Sequence, residues 1–348
     1  MMLAITLLVT LVLILYVYAG SITYYTGPKS DHFNGKRFFN PYDNGGGGKH
    51  RLSDVLKWQF TRDPAVWPDK IEVAEYDIPP ASNDAGIRVS YVGHATVLLQ
   101  VGGINILTDP VWSERASPVA WLGPKRVVDP GIKFDELPKI DLVLISHNHY
   151  DHMDKKTIID LVKRDDPAFV VPLGNDTILK SFAPDIKIMA LDWFEAVEYE
   201  SLNINVVPAL HWSSRWMADR NKALWGGFVI ETTAGNIYFS GDTGFKSGKV
   251  YDIIREKFSS MKLSLIAMGA YKPQWFMEGS HNNPDNAVRA FVQLNSDYGV
   301  PIHHGVFKLS DENDTDQIND FNKALDENQV DANNFKLLKV GQHWDIND

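Results

Sequence analysis

Cysteine is absent from the 348 residues. This excludes disulfides, thiolate zinc sites, a cysteine nucleophile and a lipid-modified cysteine anchor, and it leaves the compartment open. Positive charge is also scarce: 34 Lys and Arg face 44 Asp and Glu, for a formal charge of −10. A nucleic-acid binder needs a basic face, so that class is disfavoured. No internal repeat of short period is present, which argues against a solenoid or an array. What remains is a chain that is 44% hydrophobic and 22% charged. Disordered and fibrous classes do not fit that balance, and the length allows one large domain or two ordinary ones.

Charge is missing altogether from the first 28 residues. Met1 to Ala19 reads MMLAITLLVTLVLILYVYA, and the first charged side chain is Lys29. About 20 apolar residues span a bilayer core, so the segment is read as a single membrane helix. A cleaved signal peptide ending at Val17-Tyr18-Ala19 is the alternative. Basic residues follow the segment (Lys29, Lys36, Arg37) and none precedes it. The positive-inside tendency therefore places the main domain on the cytoplasmic face, with an extracytoplasmic position as the other choice. The expected organisation is an anchor over 1–20, an arm over 21–85 containing the flexible Gly45 to Gly48 run and one helix near Leu52 to Phe60, and a catalytic domain over 86–348.

From residue 86 the pattern becomes regular. Strands are expected at Ile87 to Val92, Thr96 to Val101 and Ile104 to Leu107, with Gly102-Gly103 as a hairpin turn. Ile140 to Ile145 is apolar apart from Asp141 and should be a strand buried on both faces. A helix follows over Lys155 to Arg164. Short strands recur near Phe169, Ile186, Val197, Ile204, Phe228 and Ile237, then at Leu263 to Ala267, Val300 to His303 and Phe335 to Val340. Helices fit Val250 to Phe258, Pro284 to Leu294 and Thr315 to Asp326. Strands interspersed with helices give a layered α/β or α+β domain.

The sharpest motif, Ser146-His147-Asn148-His149-Tyr150-Asp151-His152, directly follows the buried run. Burying several imidazoles with a carboxylate costs free energy unless they bind something. Neutral imidazole and ionised carboxylate suit a borderline divalent metal. In extended chain His147 and His149 point to one side, and a following turn lets Asp151 and His152 face a second ion. One cluster cannot complete two coordination spheres, so further ligands are sought among eleven histidines. His32 and His50 are expected to face solvent, and His343 to be a surface or packing residue. His94, at a bend, either lines the site or makes a structural hydrogen bond. His211, His281, His303 and His304 remain, each at a strand end or in a loop. Asp242 in Ser240-Gly241-Asp242-Thr243-Gly244 can reach a metal from a tight turn.

HxHxDH followed by an isolated His, a Gly-Asp and a late His is the order of the metallo-β-lactamase superfamily. Within it, the chain resembles the N-acylphosphatidylethanolamine-hydrolysing phospholipase D family and its bacterial relatives. The matching segments include Val92 to Thr96, Leu107 to Pro110, Gly123 to Arg126, Ser146 to His152, Ala209 to Trp212, Gly241 to Gly244, Gly269 to Met277 and Ile302 to Gly305. The resemblance covers roughly residues 86 to 345.

It implies an αββα sandwich with a dinuclear zinc site at one edge, manganese or iron being the alternatives. His147, His149 and His211 would hold the first ion. Asp151, His152 and His303 would hold the second, with His304 as the alternative to His303, and Asp242 would bridge the pair. A hydroxide between the ions would attack a phosphodiester phosphorus. Asp151 would orient it, and His281 would assist at the phosphoryl or leaving oxygen. Tyr271, Gln274 and Trp275 are candidate substrate contacts. The implied partners are a phospholipid substrate and the membrane, with no nucleic acid and a homodimer left open. The competing reading is hydrolysis of a lactone, β-lactam or cyclic sugar ester on the same scaffold.

Overall fold

The computed structural model describes Thr10 and residues 20–43, 50–216 and 218–347, apart from the side chain of Leu52. The expected membrane helix at Met1 to Ala19, save Thr10, lies outside the described residues, as does the Gly45 to Gly48 run. Among the described residues no helix is long and apolar enough to cross a membrane.

The first sheet begins with an antiparallel meander, Ile87–Gly93 (β1), Thr96–Val101 (β2) and Ile104–Thr108 (β3). Gly102 and Gly103 turn β2 into β3 with φ of 58° and 77°, where a side chain would be strained. Three strands then join in parallel: Leu142–Leu144 (β4), Ala168–Pro172 (β5) and Lys187–Leu191 (β6). Two helices make the crossovers, Lys155–Asp165 (α2) and Asn175–Phe182 (α3). α2 starts because the Asp154 carboxylate accepts from the Lys156 N–H.

The second sheet runs through Ala196–Tyr199 (β7), Leu202–Val207 (β8), Gly227–Thr232 (β9), Gly235–Phe239 (β10), Met261–Ala267 (β11) and Ser296–Ile302 (β12). β10, β11 and β12 are parallel neighbours, and the others are antiparallel. Lys249–Phe258 (α4), Pro284–Gln293 (α6, after the short Gln274–Met277, α5) and Asp314–Asn328 (α7) complete this half. His343–Ile346 (β13) pairs antiparallel with β1 and closes the first sheet at order β13-β1-β2-β3-β4-β5-β6.

Strand alternation explains the layers. Leu142 and Leu144 of β4 turn inward to meet Ile204, Phe228, Ile237, Leu263 and Leu265 between the sheets. Val143 turns outward beneath Ile158 and Leu161 of α2 and Ile178 and Leu179 of α3. On the far side Ile266 and Met268 lie under Val250 and Ile254 of α4, Val288 of α6 and Phe321 of α7. Each such side chain contributes about 1.5–3 kcal/mol when fully buried. The result is the expected mixed α/β sandwich, helices on both outer faces of two stacked sheets.

Two expectations are corrected. Phe335 to Val340 is not a strand. Phe335 instead packs its ring 4.7 Å from Phe291 and 5.0 Å from Phe321, filling a gap between helices, and the last strand comes later as β13. α3 is a helix that the sequence reading passed over, because its short apolar set does not separate from a strand by period alone.

The segment before β1 carries one helix, Leu52–Thr61 (α1), and is fastened by polar contacts. Trp58 Nε1 and Arg62 Nε donate to the Asp311 carboxylate, each at 3.0 Å. His32, expected in solvent, is buried: its two ring nitrogens lie 2.6 Å from Asp31 and 2.6 Å from Asp192, and its ring stacks on Trp193. Burial opposes a charge there, but the bonds to Asp192 and Asp31 outweigh it and raise the pKa. His50, also expected in solvent, is half-buried, stacking on Phe276 at 3.7 Å.

Candidate metal centre

The chemistry-bearing residues follow strand ends at one edge of the sandwich. β4 leads into His147, β8 into His211, β10 into Asp242 and β12 into His303. β3 ends beside Asp109, and His94 sits at the bend between β1 and β2. Ligands of α/β sheets gather at such strand ends because the loops there are free to vary. Asp242 reaches the site through Gly241, at φ 54°, where an added Cβ would lie 2.5 Å from the Ser146 Cβ.

Two groups of donors form, sharing Asp242. In the first, His147 Nε2 is 2.8 Å from His149 Nδ1, His211 Nε2 is 3.3 Å from the same atom, and Asp242 Oδ2 is 3.6 Å from His211 Nε2. In the second, His152 Nε2 lies 3.4 Å from Asp151 Oδ2 and 3.3 Å from Asp242 Oδ2. His303 Nε2 lies 3.1 Å from Asp242 Oδ1 and 3.4 Å from Asp151 Oδ2. All seven expected ligands are thereby brought together: the donor atoms of His147, His149, His211 and Asp242 lie inside 4.8 Å of one another, and so do those of Asp151, His152 and His303 with His94. His304 is not among them. Its Nε2 is 3.1 Å from the Pro301 carbonyl oxygen and its ring stacks on Tyr91, so the geometry selects His303.

The electrostatics match a cation site. Burial, reinforced by neighbouring imidazoles, holds His147 well below its ordinary value; burial also lowers His211, and His149 to about 4. These rings are neutral at pH 7, so each keeps a lone pair that could be turned to a cation. Burial would raise Asp151 and Asp242, but facing His152 and His303 hold both carboxyls well below their ordinary value. The same attraction overcomes burial and raises His152 far up, and His303 to about 9. Buried carboxylates are thus compensated by protons where a divalent ion would compensate them instead. His152 Nε2, His303 Nε2, His149 Nε2 and Asp242 Oδ1 are buried without a hydrogen-bond partner. Orphaned buried nitrogens of this kind fit a metal rather than a packed core.

Outer contacts orient the rings. His211 Nδ1 is 3.0 Å from the Ser280 carbonyl oxygen, which directs Nε2 inward. His152 Nδ1 is 2.6 Å from Asp109 Oδ2. Asp109 is fully buried and also accepts from the Ser146 N–H at 2.7 Å and the Ser146 hydroxyl at 2.6 Å. The sequence reading passed over Asp109 as a functional residue, although Thr-Asp-Pro at the end of β3 offered a carboxylate at the correct edge. His94 proves to touch the site: its Nε2 is 2.9 Å from Asp151 Oδ2 and its ring centroid is 4.0 Å from that of His303. His94, Asp109 and His303 all hold positive φ (60°, 32° and 62°), strain of about 1–3 kcal/mol each that the surroundings sustain.

His281 Nδ1 lies 3.9 Å from Asp242 Oδ2, and burial lowers its pKa to about 4. Gln274 and Trp275 line a cleft of about 560 Å³ with His50, Phe276, Asn283 and Asn286, flanking the His281 loop. Tyr271 is placed differently from expectation. It is buried, with its hydroxyl donating to Asp320 of α7 at 2.5 Å and its N–H to Glu312 at 3.2 Å, because a phenol removed from water needs an acceptor.

Comparison with known proteins agrees with this arrangement. Residues 104–304 match the beta-lactamase superfamily domain. N-acyl-phosphatidylethanolamine-hydrolyzing phospholipase D 1 of Caenorhabditis elegans is 30% identical over 335 residues, covering 90% of this chain and 94% of the relative. An uncharacterised protein of Mycobacterium tuberculosis is 39% identical over 229 residues, covering 64% of this chain and only 60% of its own length. Among solved structures, CmlA, a diiron β-hydroxylase from Streptomyces venezuelae, shares the fold at 19% identity with a TM-score of 0.56, over 76% of this chain and 55% of that one. The chain belongs to the metallo-β-lactamase superfamily of metal-dependent hydrolases, in the family of the N-acyl-phosphatidylethanolamine-hydrolysing phospholipases D.

Proposed function

We propose that the protein is a dinuclear zinc phosphodiesterase of phospholipase D type, acting on N-acylphosphatidylethanolamine-like phospholipids. The observation that carries this reading is Asp242, which touches both donor groups: its Oδ2 lies toward His211 of the first and His152 of the second, and its Oδ1 toward His303 of the second. His147, His149 and His211 would hold one ion, Asp151, His152 and His303 the other, and Asp242 would join both. Divalent ions held there would supply Lewis acidity toward phosphoryl oxygens and a water activated near neutral pH.

The chain's own groups supply the rest. His281 is neutral at pH 7, so it would donate an N–H hydrogen bond to a phosphoryl or leaving oxygen. Asp151, fixed by the His94 ring, would hold the attacking water by an acceptor oxygen. The Gln274 and Trp275 cleft beside the His281 loop has room for part of a lipid substrate.

Membrane anchoring through Met1 to Ala19 belongs to the same proposal, with the domain on the cytoplasmic face. Where that apolar stretch ends, Lys222 Nζ donates to the Gly20 and Ile22 carbonyls at 2.6 Å each. An anchor would therefore leave the bilayer next to the loop that carries His211, which keeps a lipid substrate near the ions.

The test is a lipid hydrolysis screen on zinc-loaded protein by mass spectrometry. Release of phosphatidic acid and an N-acylethanolamine is expected. Ring opening of lactone or β-lactam substrates without phosphatidic acid release would replace the reading by its competitor.

A further inference from the structure

The loop between β8 and β9 carries one metal-ligand candidate, His211, and four residues later a half-buried arginine that the proposed chemistry does not use. Arg215 Nη1 donates to the Asn148 carbonyl at 3.1 Å and to the Met153 carbonyl at 2.8 Å. Those two carbonyls bracket His149, Asp151 and His152. One nitrogen thus closes the ligand loop at both ends. The guanidinium lies over the faces of Tyr150 at 4.2 Å and Phe182 at 5.2 Å, and the Tyr150 hydroxyl donates back to the Arg215 carbonyl at 2.8 Å.

Arg215 is itself held. The Asp219 carboxylate accepts from the N–H groups of Arg215 (3.1 Å) and Trp216 (2.9 Å) and from the Ser214 hydroxyl (2.7 Å). Asp219 is fully buried, and its Oδ2 also accepts from the Tyr24 hydroxyl at 3.0 Å. A continuous set of hydrogen bonds therefore runs from the N-terminal arm through Asp219 and Arg215 to the ligand loop.

We infer that Arg215 is a positioning residue that presets the His147 to His152 loop for its ions, and that Tyr24 and Asp219 make this dependent on docking of the arm. The physical reason is preorganisation. A loop carrying three ligands, if free, must be ordered when the ion binds, and that cost lowers affinity. A planar guanidinium with donors in fixed directions removes the cost in advance, and an ammonium does so less well. The inference rests on the metal-site reading and not on the phospholipid.

The experiment uses the full chain stripped with chelator and titrated with Co²⁺ alone, read by its visible absorption, with circular dichroism and thermal melts alongside. Arg215→Met should weaken ion binding by roughly 10–100-fold, the range seen when an outer-shell partner of a metal site is lost. Arg215→Lys should recover part of the loss. Asp219→Asn and Tyr24→Phe, which keep the guanidinium, should show smaller losses in the same direction. Wild-type affinity in Arg215→Met with only a lowered melting temperature would overturn the inference and leave Arg215 a plain packing residue. If Arg215→Met fails to fold, Arg215→Lys and Asp219→Asn decide, and unchanged affinity in both overturns it. Absence of binding by the wild-type chain would instead remove the metal reading itself.

Discussion

The two donor groups of the site stand side by side, yet they are built on different charge. The first offers three neutral imidazoles, His147, His149 and His211, and shares one carboxylate. The second offers Asp151 in addition to the shared Asp242, and its imidazoles, His152 and His303, are driven to bind protons. Behind His152 lies a further buried carboxylate, Asp109, at 2.6 Å. A cation entering the first group would meet neutral rings and would have to break only the hydrogen bonds that His149 Nδ1 shares with His147 and His211. A cation entering the second replaces protons that already balance the carboxylates. If each group holds an ion, as proposed, the same end of one fold would make one site limited by geometry and another limited by competition with acid.

The largest expected effect tests what the two groups share. Asp242→Asn keeps the shape but removes the charge between them, so both ions should be lost together. Elemental analysis should show less than one ion per chain, and turnover should fall more than about 100-fold, beyond the range typical of an outer partner. Retention of either ion at full occupancy would mean that the groups are independent.

A smaller effect should separate the groups. Asp109→Asn removes the carboxylate that orients His152 directly, whereas it reaches His147 of the first group through the Ser146 hydroxyl, 2.9 Å from His147 Nδ1. Ion binding should show one step unchanged and one weakened about 10–100-fold in a two-step titration. Equal weakening of both steps would deny the asymmetry.

The smallest effect is one of pH. Between pH 8 and pH 6 the first group stays neutral, since His149 is held near 4. In the metal-free protein His303 titrates near 9 and His152 is raised above its ordinary value. At pH 6 to 8 these two rings hold protons that the second ion must displace. Acidification should therefore weaken the second step and spare the first, with protons released only in the second. Calorimetry in buffers of different ionisation enthalpy measures that release. Proton release in the first step alone would reverse the assignment.

His32 supplies a contrast outside the site. It too lies between two carboxylates, Asp31 and Asp192, but it makes both hydrogen bonds and leaves no orphaned nitrogen. Two carboxylates around a histidine make an ion pair there and not a metal site, because no second imidazole converges on the same point.

Much of the site was legible in residue order. His147, His149, Asp151 and His152 stand within six positions, and alternation in extended chain settles which of them face together. His211, Asp242 and His303 each follow an apolar run, which marks strand ends. Arg215 was not legible, since a single Arg in a loop carries no period and no spacing, whereas Asp109 had only its place at the end of a strand to mark it. His32 and His50 were misjudged because nothing local says that a distant Trp193 or Phe276 will cover them. Tyr271 was read as a substrate contact, and nothing local told that its acceptor, Asp320, lies 49 residues away on α7.

Local patterning alone determined most of the strands and helices, the absence of thiol chemistry and the type of metal-binding donor, since these depend on nearest neighbours along the chain. Tertiary structure decided which histidine of the His303-His304 pair turns toward the donor groups, that Asp242 stands between both groups, and that the arm reaches the His149 to His152 loop through Tyr24, Asp219 and Arg215. The reason is distance. Each of these depends on groups far apart in sequence whose separation is fixed only when the two sheets pack.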